Sequence, residues 1–190
     1  MRAGENPFAP GRLERLLGYD PALAGTTWEA LESRWHDLGR RAAVTGHRGA
    51  GKSALLRAWA QRCDSPVVLH FNEQRRRLDE ADRQQIATGA GRVWIIDGAD
   101  YLALRDRPAL HRAAKAAAGI LVSRYRARGW PELLRLKSTP QLAGALLERI
   151  SASHAGQFRF DLDARFRRCD GNLREFWLAC YDDLAGRKVL

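Results

Sequence analysis

The sequence predicts an α/β fold: a parallel sheet covered by helices on both faces, followed by a smaller, mainly helical C-terminal part. Two observations carry this. Short apolar runs at 41–45, 66–71, 93–96, 120–123 and 133–136 alternate with helix-like patterns at 52–63, 79–88 and 105–118. Strands separated by helices need crossover connections, and these pair strands in parallel. After Thr139-Pro140 the strand signal fades to one weak candidate at 157–161, while helical patterns continue at 140–152, 162–169 and 173–186. The expected organisation is an N-terminal arm at 1–25, an α/β core at 26–138 and a helical lid at 139–190.

Composition fits this class. The chain has 190 residues, 45% of them hydrophobic and 28% charged, which excludes wholesale disorder. At this length folding buries roughly 70% of the unfolded surface, so no disulfide or metal staple is needed. The three cysteines, Cys63, Cys169 and Cys180, are widely spaced and form no CxxC pair. They are expected as small buried apolar residues in a reducing compartment. The five histidines form no HExxH pattern or metal cluster. No apolar run suits a signal peptide or a bilayer span. The expected setting is cytoplasmic, with no membrane partner.

The net charge is +10, which on its own suits a polyanionic partner such as nucleic acid. Only Lys52, Lys115, Lys137 and Lys188 are lysines. An arginine excess of this kind follows from coding bias as readily as from a binding task, so the charge leaves nucleic-acid contact open.

The first element in order is the arm, rich in Pro and Gly, with Leu13, Leu16 and Leu17 as a short amphipathic piece. Thr26 and Glu29 then have the spacing of a capping box. The helix that follows, to about residue 40, places Trp28, Leu31, Trp35 and Leu38 on one face. Those aromatics are expected to pack in the core rather than to stack on bases.

Gly46-His47-Arg48-Gly49-Ala50-Gly51-Lys52-Ser53 matches GxxxxGK[ST], the Walker A pattern, between a strand and the helix that Ala54 continues. Glycines permit the loop's unusual backbone angles and let its amides close on phosphate oxygens. The new helix adds the positive end of its dipole. Lys52 is expected on the β and γ phosphates, and the Ser53 hydroxyl on Mg²⁺. His47 and Arg48 occupy variable positions of the cradle formed by residues 46–54.

Val93-Trp94-Ile95-Ile96-Asp97 is an apolar strand ending in an acid, the Walker B pattern. Asp97 is the candidate magnesium carboxylate at the carboxyl edge of the sheet. Many related ATPases place Glu next, but here Gly98 stands there and Asp100 is the next acid. Asp100 is therefore the candidate water-activating base, with a helix-capping role as the competing reading. Ile120-Leu121-Val122-Ser123-Arg124 is a second apolar strand with a polar end. Gly171-Asn172-Leu173-Arg174-Glu175 opens the last helix, where a cation such as Arg174 is disfavoured by the helix dipole unless an anion lies near.

These four segments resemble, in the expected order, the P-loop ATPases of the AAA+ and STAND types (the latter being signal-transduction ATPases with numerous domains). Asp97-Gly98-Ala99-Asp100 is similar to the STAND D-G-x-D-E run, with Tyr101 in place of the final acid. Ser123-Arg124 resembles the sensor-1 end, and Gly171–Glu175 the sensor-2 run G-N-x-R-E. The resemblance implies a parallel five-stranded P-loop NTPase core, its Walker A and Walker B strands separated by the sensor-1 strand, with a small C-terminal helical lid. It also implies ATP and Mg²⁺ as ligands, and Ser123, Arg124 and Arg174 as groups that sense the γ-phosphate.

The expected function is an ATP-binding, slowly hydrolysing module that acts as a nucleotide-dependent switch or loader for a protein partner, with a nucleotide-dependent oligomer as one form. Two other readings fit the same residues. In a small-molecule kinase, 124–128 would serve as an arginine-bearing lid. In a DNA-associated AAA+ accessory ATPase, the positive charge and the Arg75-Arg76-Arg77 run would contact nucleic acid.

Overall fold

The computed structural model describes Asn6, Phe8, Ala9, Leu13 and residues 17–151 and 161–186. The chain divides into two compact units. One comprises Gly25–Gly46 and Lys52–Leu136; the other comprises Met1–Ala24, His47–Gly51 and Lys137–Leu190.

The first unit holds the sheet. Its elements are α1 (Trp28–Asp37), β1 (Arg41–Thr45), α2 (Lys52–Gln61), β2 (Val67–His70), α3 (Glu80–Ala87), β3 (Val93–Asp97), α4 (Arg107–Ala114), β4 (Gly119–Arg124) and β5 (Glu132–Arg135). Five strands lie in the order β2-β3-β4-β1-β5, and every pairing is parallel. The Walker A strand β1 and the Walker B strand β3 are thus separated by β4, the order the resemblance implies. The chain has the α/β architecture of a P-loop NTPase core.

Burial follows from sequence pattern. β4 is buried from Gly119 to Ser123, apolar as far as Val122, because both faces of a parallel sheet are covered, and only its last residue is half-exposed. α2 buries Leu55, Leu56 and Trp59 and packs on β3 and β4. Of the α1 aromatics Trp35 is buried and Trp28 half-buried; Trp59 meets Trp35 at 5.5 Å and Trp28 at 5.9 Å, both edge-on.

Two local expectations are corrected. The cap of α1 is Thr27, not Thr26; the Thr27 hydroxyl accepts from the Ala30 amide at 3.2 Å. Thr27 has the extended backbone that a cap needs one residue ahead of the first helical turn. The helix expected over 105–118 is a short 3₁₀ turn, Leu104–Asp106, followed by α4, which stops at Ala114. The alanines beyond it favour helix, but Gly91 and Ala118 bond instead across two segments: the Gly91 amide donates to Ala116 O at 2.8 Å, and the Ala118 amide to Arg92 O at 2.9 Å. Tertiary pairing of the β4 entry overrides local propensity here.

The second unit contains α5 (Pro140–Ser151), α6 (Leu162–Arg168) and α7 (Leu173–Leu184). Its core gathers Phe8, Ala143, Ile150, Phe166, Leu173, Phe176, Trp177 and Cys180, with Leu13 and Leu17 against it. The opening residues therefore group with these helices. Of the cysteines only Cys180 is fully buried; Cys63 and Cys169 are half-buried. Burial pushes the Cys180 thiol up to about 12. The weak strand candidate at 157–161 falls almost entirely outside the described residues; Asp161, which is described, caps α6 through the Ala164 amide. No helix among the described residues is long and apolar enough to cross a membrane.

The cap gives a direct test. Thr27→Ala should cost about 1 kcal/mol of unfolding free energy, measured by urea denaturation, whereas Thr26→Ala should leave the midpoint nearly unchanged.

Candidate functional site

The loop from β1 into α2 carries the phosphate-binding pattern. Gly46, Gly49 and Gly51 all have positive φ, at 148°, 77° and 92°, angles that side chains with a Cβ resist. At Gly49 a side chain would also collide with the Asn172 side chain. Ala50 is buried, His47 and Arg48 are exposed, Ser53 is exposed and Ala54 half-buried. The Lys52 ammonium donates to Gly46 O at 2.7 Å, and it lies 5.0 Å from the centre of the Tyr125 ring. Burial pushes the Lys52 pKa down, and the negative charges of Asp97 and Asp100 partly offset this. A cation so placed is stabilised by further negative charge.

Asp97 ends β3. Its two carboxylate oxygens have different neighbours: Ser123 Oγ donates to Oδ1 at 2.5 Å, and His70 Nδ1 lies 3.1 Å from Oδ2. The Ser123 hydroxyl oxygen accepts in turn from the Gly98 amide at 2.7 Å. Ser123 is only 1% exposed, so this small network fixes the ends of β3 and β4 together.

Gly98 explains the missing Glu. Its φ is 74°, and a Cβ there would run into the Phe71 carbonyl. A glutamate cannot take this backbone without displacing the end of β2. Asp100, two residues on, is fully engaged. Arg124 Nε and Nη2 donate to its Oδ1 at 2.9 and 2.7 Å, and the Tyr125 amide donates to its Oδ2 at 2.6 Å. The ion pair is largely shielded, with side-chain exposures of 13% for Arg124 and 20% for Asp100. The Tyr101 and Tyr125 hydroxyls hydrogen-bond to each other beside it.

Lys52, Asp97, Asp100, Ser123 and Arg124 thus gather within the sheet unit, linked through hydrogen bonds, an ion pair and the shared charge environment of Lys52. Arg174 belongs to the helical unit. There it lies in the first turn of α7, exposed, with its amide bonded to the capping Asn172 carboxamide at 3.0 Å. Within that same unit Ser138 Oγ lies 2.8 Å from His47 Nε2 and donates to Gly171 O at 2.5 Å.

Residues not singled out from sequence also contribute. His70 ends β2 opposite Asp97 in the β2–β3 register; its signal was its position as the last residue of a strand. Tyr125 follows Arg124 and had none. The Arg75-Arg76-Arg77 run is partly committed to the fold: Arg75 pairs with Asp79 at 2.6 Å and Asp82 at 2.8 Å, and its guanidinium is pushed to a still higher pKa, chiefly by the Asp79 hydrogen bond.

Comparison with known proteins supports the fold. One solved structure that the chain resembles is domain III of the replication initiation protein DnaA from Thermotoga maritima. The two align with a TM-score of 0.54 and 15% sequence identity, over 95% of this chain and 92% of that one. No protein-family model matches the sequence. No curated protein matches it either.

The Gly98 account predicts that Gly98→Ala lowers unfolding stability by about 1–3 kcal/mol, the cost of strained backbone. Chemical denaturation would measure it. A neutral result would show that the position does not require glycine.

Proposed function

We propose that the chain is an ATP-binding P-loop module that hydrolyses ATP slowly and acts as a nucleotide-dependent switch or loader for a protein partner. The observation that carries this reading is the glycine loop itself. Three positive-φ glycines lead into α2, and the Lys52 ammonium is turned back onto Gly46 O beside Asp97 and Asp100.

The donor set fits Mg·ATP. Loop amides, the α2 start and Lys52 are donors for a triphosphate. Ser53 and Asp97 offer one hydroxyl and one carboxylate, hard oxygen ligands for Mg²⁺. Among the described residues no group of three or more His, Cys, Asp or Glu could hold a metal alone. Magnesium suits such a sparse set, because it keeps waters and takes substrate phosphates as its other ligands. When bound, the ion would neutralise charge on the β and γ phosphates.

Each residue then has a task. Residues 46–54 cradle the phosphates, with Lys52 supplying fixed positive charge. Ser123 orients the Asp97 carboxylate by donating to it. Arg124 offers a guanidinium for the charge that develops on the γ-phosphate as water attacks in line. Asp100, the candidate water-activating base, has its carboxylate occupied by Arg124 and the Tyr125 amide. We assign it the positioning of Arg124. With no Glu after Asp97 to polarise water, turnover is slow. Arg174 is proposed as a sensor-2 arginine on the resemblance of Gly171–Glu175 alone. The switch or loader role rests on the resemblance, and the DnaA domain III likeness keeps a DNA-associated accessory role as the second reading.

Phosphate release from ATP with magnesium tests the reading. Lys52→Ala should lose at least about 100-fold in kcat/KM, a loss of roughly 3 kcal/mol. Asp97→Asn should abolish magnesium-dependent release. Asp100→Asn and Arg124→Ala should each slow release, and the double variant should be no slower than Arg124→Ala alone, as expected of a pair acting as a unit. An Asp100→Asn loss that adds fully to the Arg124→Ala loss would instead make Asp100 the base. No phosphate release and no ATP binding by the wild type would refute the proposal.

A further inference from the structure

A pocket of about 590 Å³ lies within the sheet unit, over β3 and β4 and beneath α4 and the turn at Gly129-Trp130-Pro131. Its apolar lining combines the almost wholly covered Ile96, Ile120 and Val122 with the half-buried Leu38, Ala99 and Trp130 and the exposed Pro131. Side chains alternate across a strand. Ile96 and Val122 therefore face away from their chain neighbours Asp97 and Ser123, which bond to each other on the opposite face. The pocket is distinct from the phosphate loop, and none of residues 46–54 lines it.

The lining is one-sided in charge. Arg41, Arg107, His111, Lys115 and Arg124 border the pocket, and no Asp or Glu does. Arg124 is matched by Asp100. Arg41 Nη2 donates to the carbonyl of Ala114 at 3.1 Å. Arg107 donates to the carbonyls of Leu102 at 3.1 Å and Asp100 at 3.4 Å. Carbonyls hold these guanidiniums in place without cancelling their charge. Among the described residues neither Arg41, Arg107 nor Lys115 forms an ion pair with a carboxylate.

An apolar lining with a cationic border selects one kind of occupant. The volume suits a small organic molecule. The apolar lining rewards an apolar body by removing it from water, and the border rewards a single negative group through charge-assisted hydrogen bonds. A neutral hydrocarbon would leave the border unmatched, and a multiply charged polar anion would gain nothing from the apolar lining. We propose that this pocket binds a small amphiphilic anion: an aromatic or aliphatic body carrying one carboxylate or sulfonate.

Two fluorescent probes with the same ring system separate the contributions: anilinonaphthalene sulfonate, which is anionic, and phenylnaphthylamine, which is neutral. Titration of the folded full chain should give one saturable site for the sulfonate, occupied more tightly than the neutral dye. Arg107→Glu/Lys115→Glu reverses two exposed border charges. It should weaken the sulfonate about tenfold or more, as loss of charge-assisted contacts implies, and leave the neutral dye unchanged. Ala114→Trp should fill the pocket and remove both. Thermal melts establish that each variant is folded; if Ala114→Trp does not fold, the charge-reversed variant decides alone. Unsaturable binding, equal affinity for the two dyes, or an unchanged sulfonate affinity in the charge-reversed variant would overturn the proposal. ATP binding is read separately: the phosphate loop does not line the pocket, and Arg124, the residue common to the pocket and the proposed ATP site, is unchanged in both variants.

Discussion

The constraint on which the rest depends is the parallel pairing of β1 inside the sheet, with β4 on one side and β5 on the other. Parallel pairing puts every strand's carboxyl end at one edge of the sheet. It sets Thr45, the last residue of β1, in register with Arg124, the last of β4. The glycine loop must leave from this edge. β3 ends there too, because His70 of β2 and Asp97 are in register. Register alone therefore assembles the loop start, an acid, a hydroxyl, a histidine and an arginine, which are scattered over some eighty residues of chain. A one-residue slip in β3 would turn Asp97 to the opposite face and separate it from Ser123.

Within that edge, local backbone decides the chemistry. The residue after Asp97 turns sharply against the end of β2, and only glycine fits. The close approach of Gly98 to the Phe71 carbonyl leaves no room for a side chain there. The next acid, Asp100, is spent on Arg124 and the Tyr125 amide. The result is an edge where Lys52 and Arg124 stand beside Asp97 and Asp100, with His70 against Asp97.

Much of this was legible in the sequence. All five strands lie where apolar runs placed them, since a strand covered on both faces has an unmistakable composition. The glycine loop was legible because its backbone requirement is written directly in residue type. What was not legible is what depends on lateral contact. The engagement of Asp100 by Arg124, the approach of His70 to Asp97 and the ring of Tyr125 beside Lys52 join residues far apart in sequence. The early end of α4 has the same origin: alanines that favour helix are drawn into pairing with the entry to β3. The cap of α1 moved by one residue because Thr26 and Thr27 carry the same side chain, and only backbone geometry distinguishes them. The cationic border of the pocket was present in the composition as an arginine excess, but its gathering around one apolar cavity is a property of the folded sheet.

The central claim is that main-chain amides of the loop between β1 and α2 grip a triphosphate. Amide hydrogen exchange resolved over residues 46–54 tests it most directly. With Mg·ATP present, these amides should exchange markedly more slowly than in the free chain, and adenosine without phosphates should leave them unprotected. Unchanged exchange across the loop at saturating Mg·ATP would contradict the account.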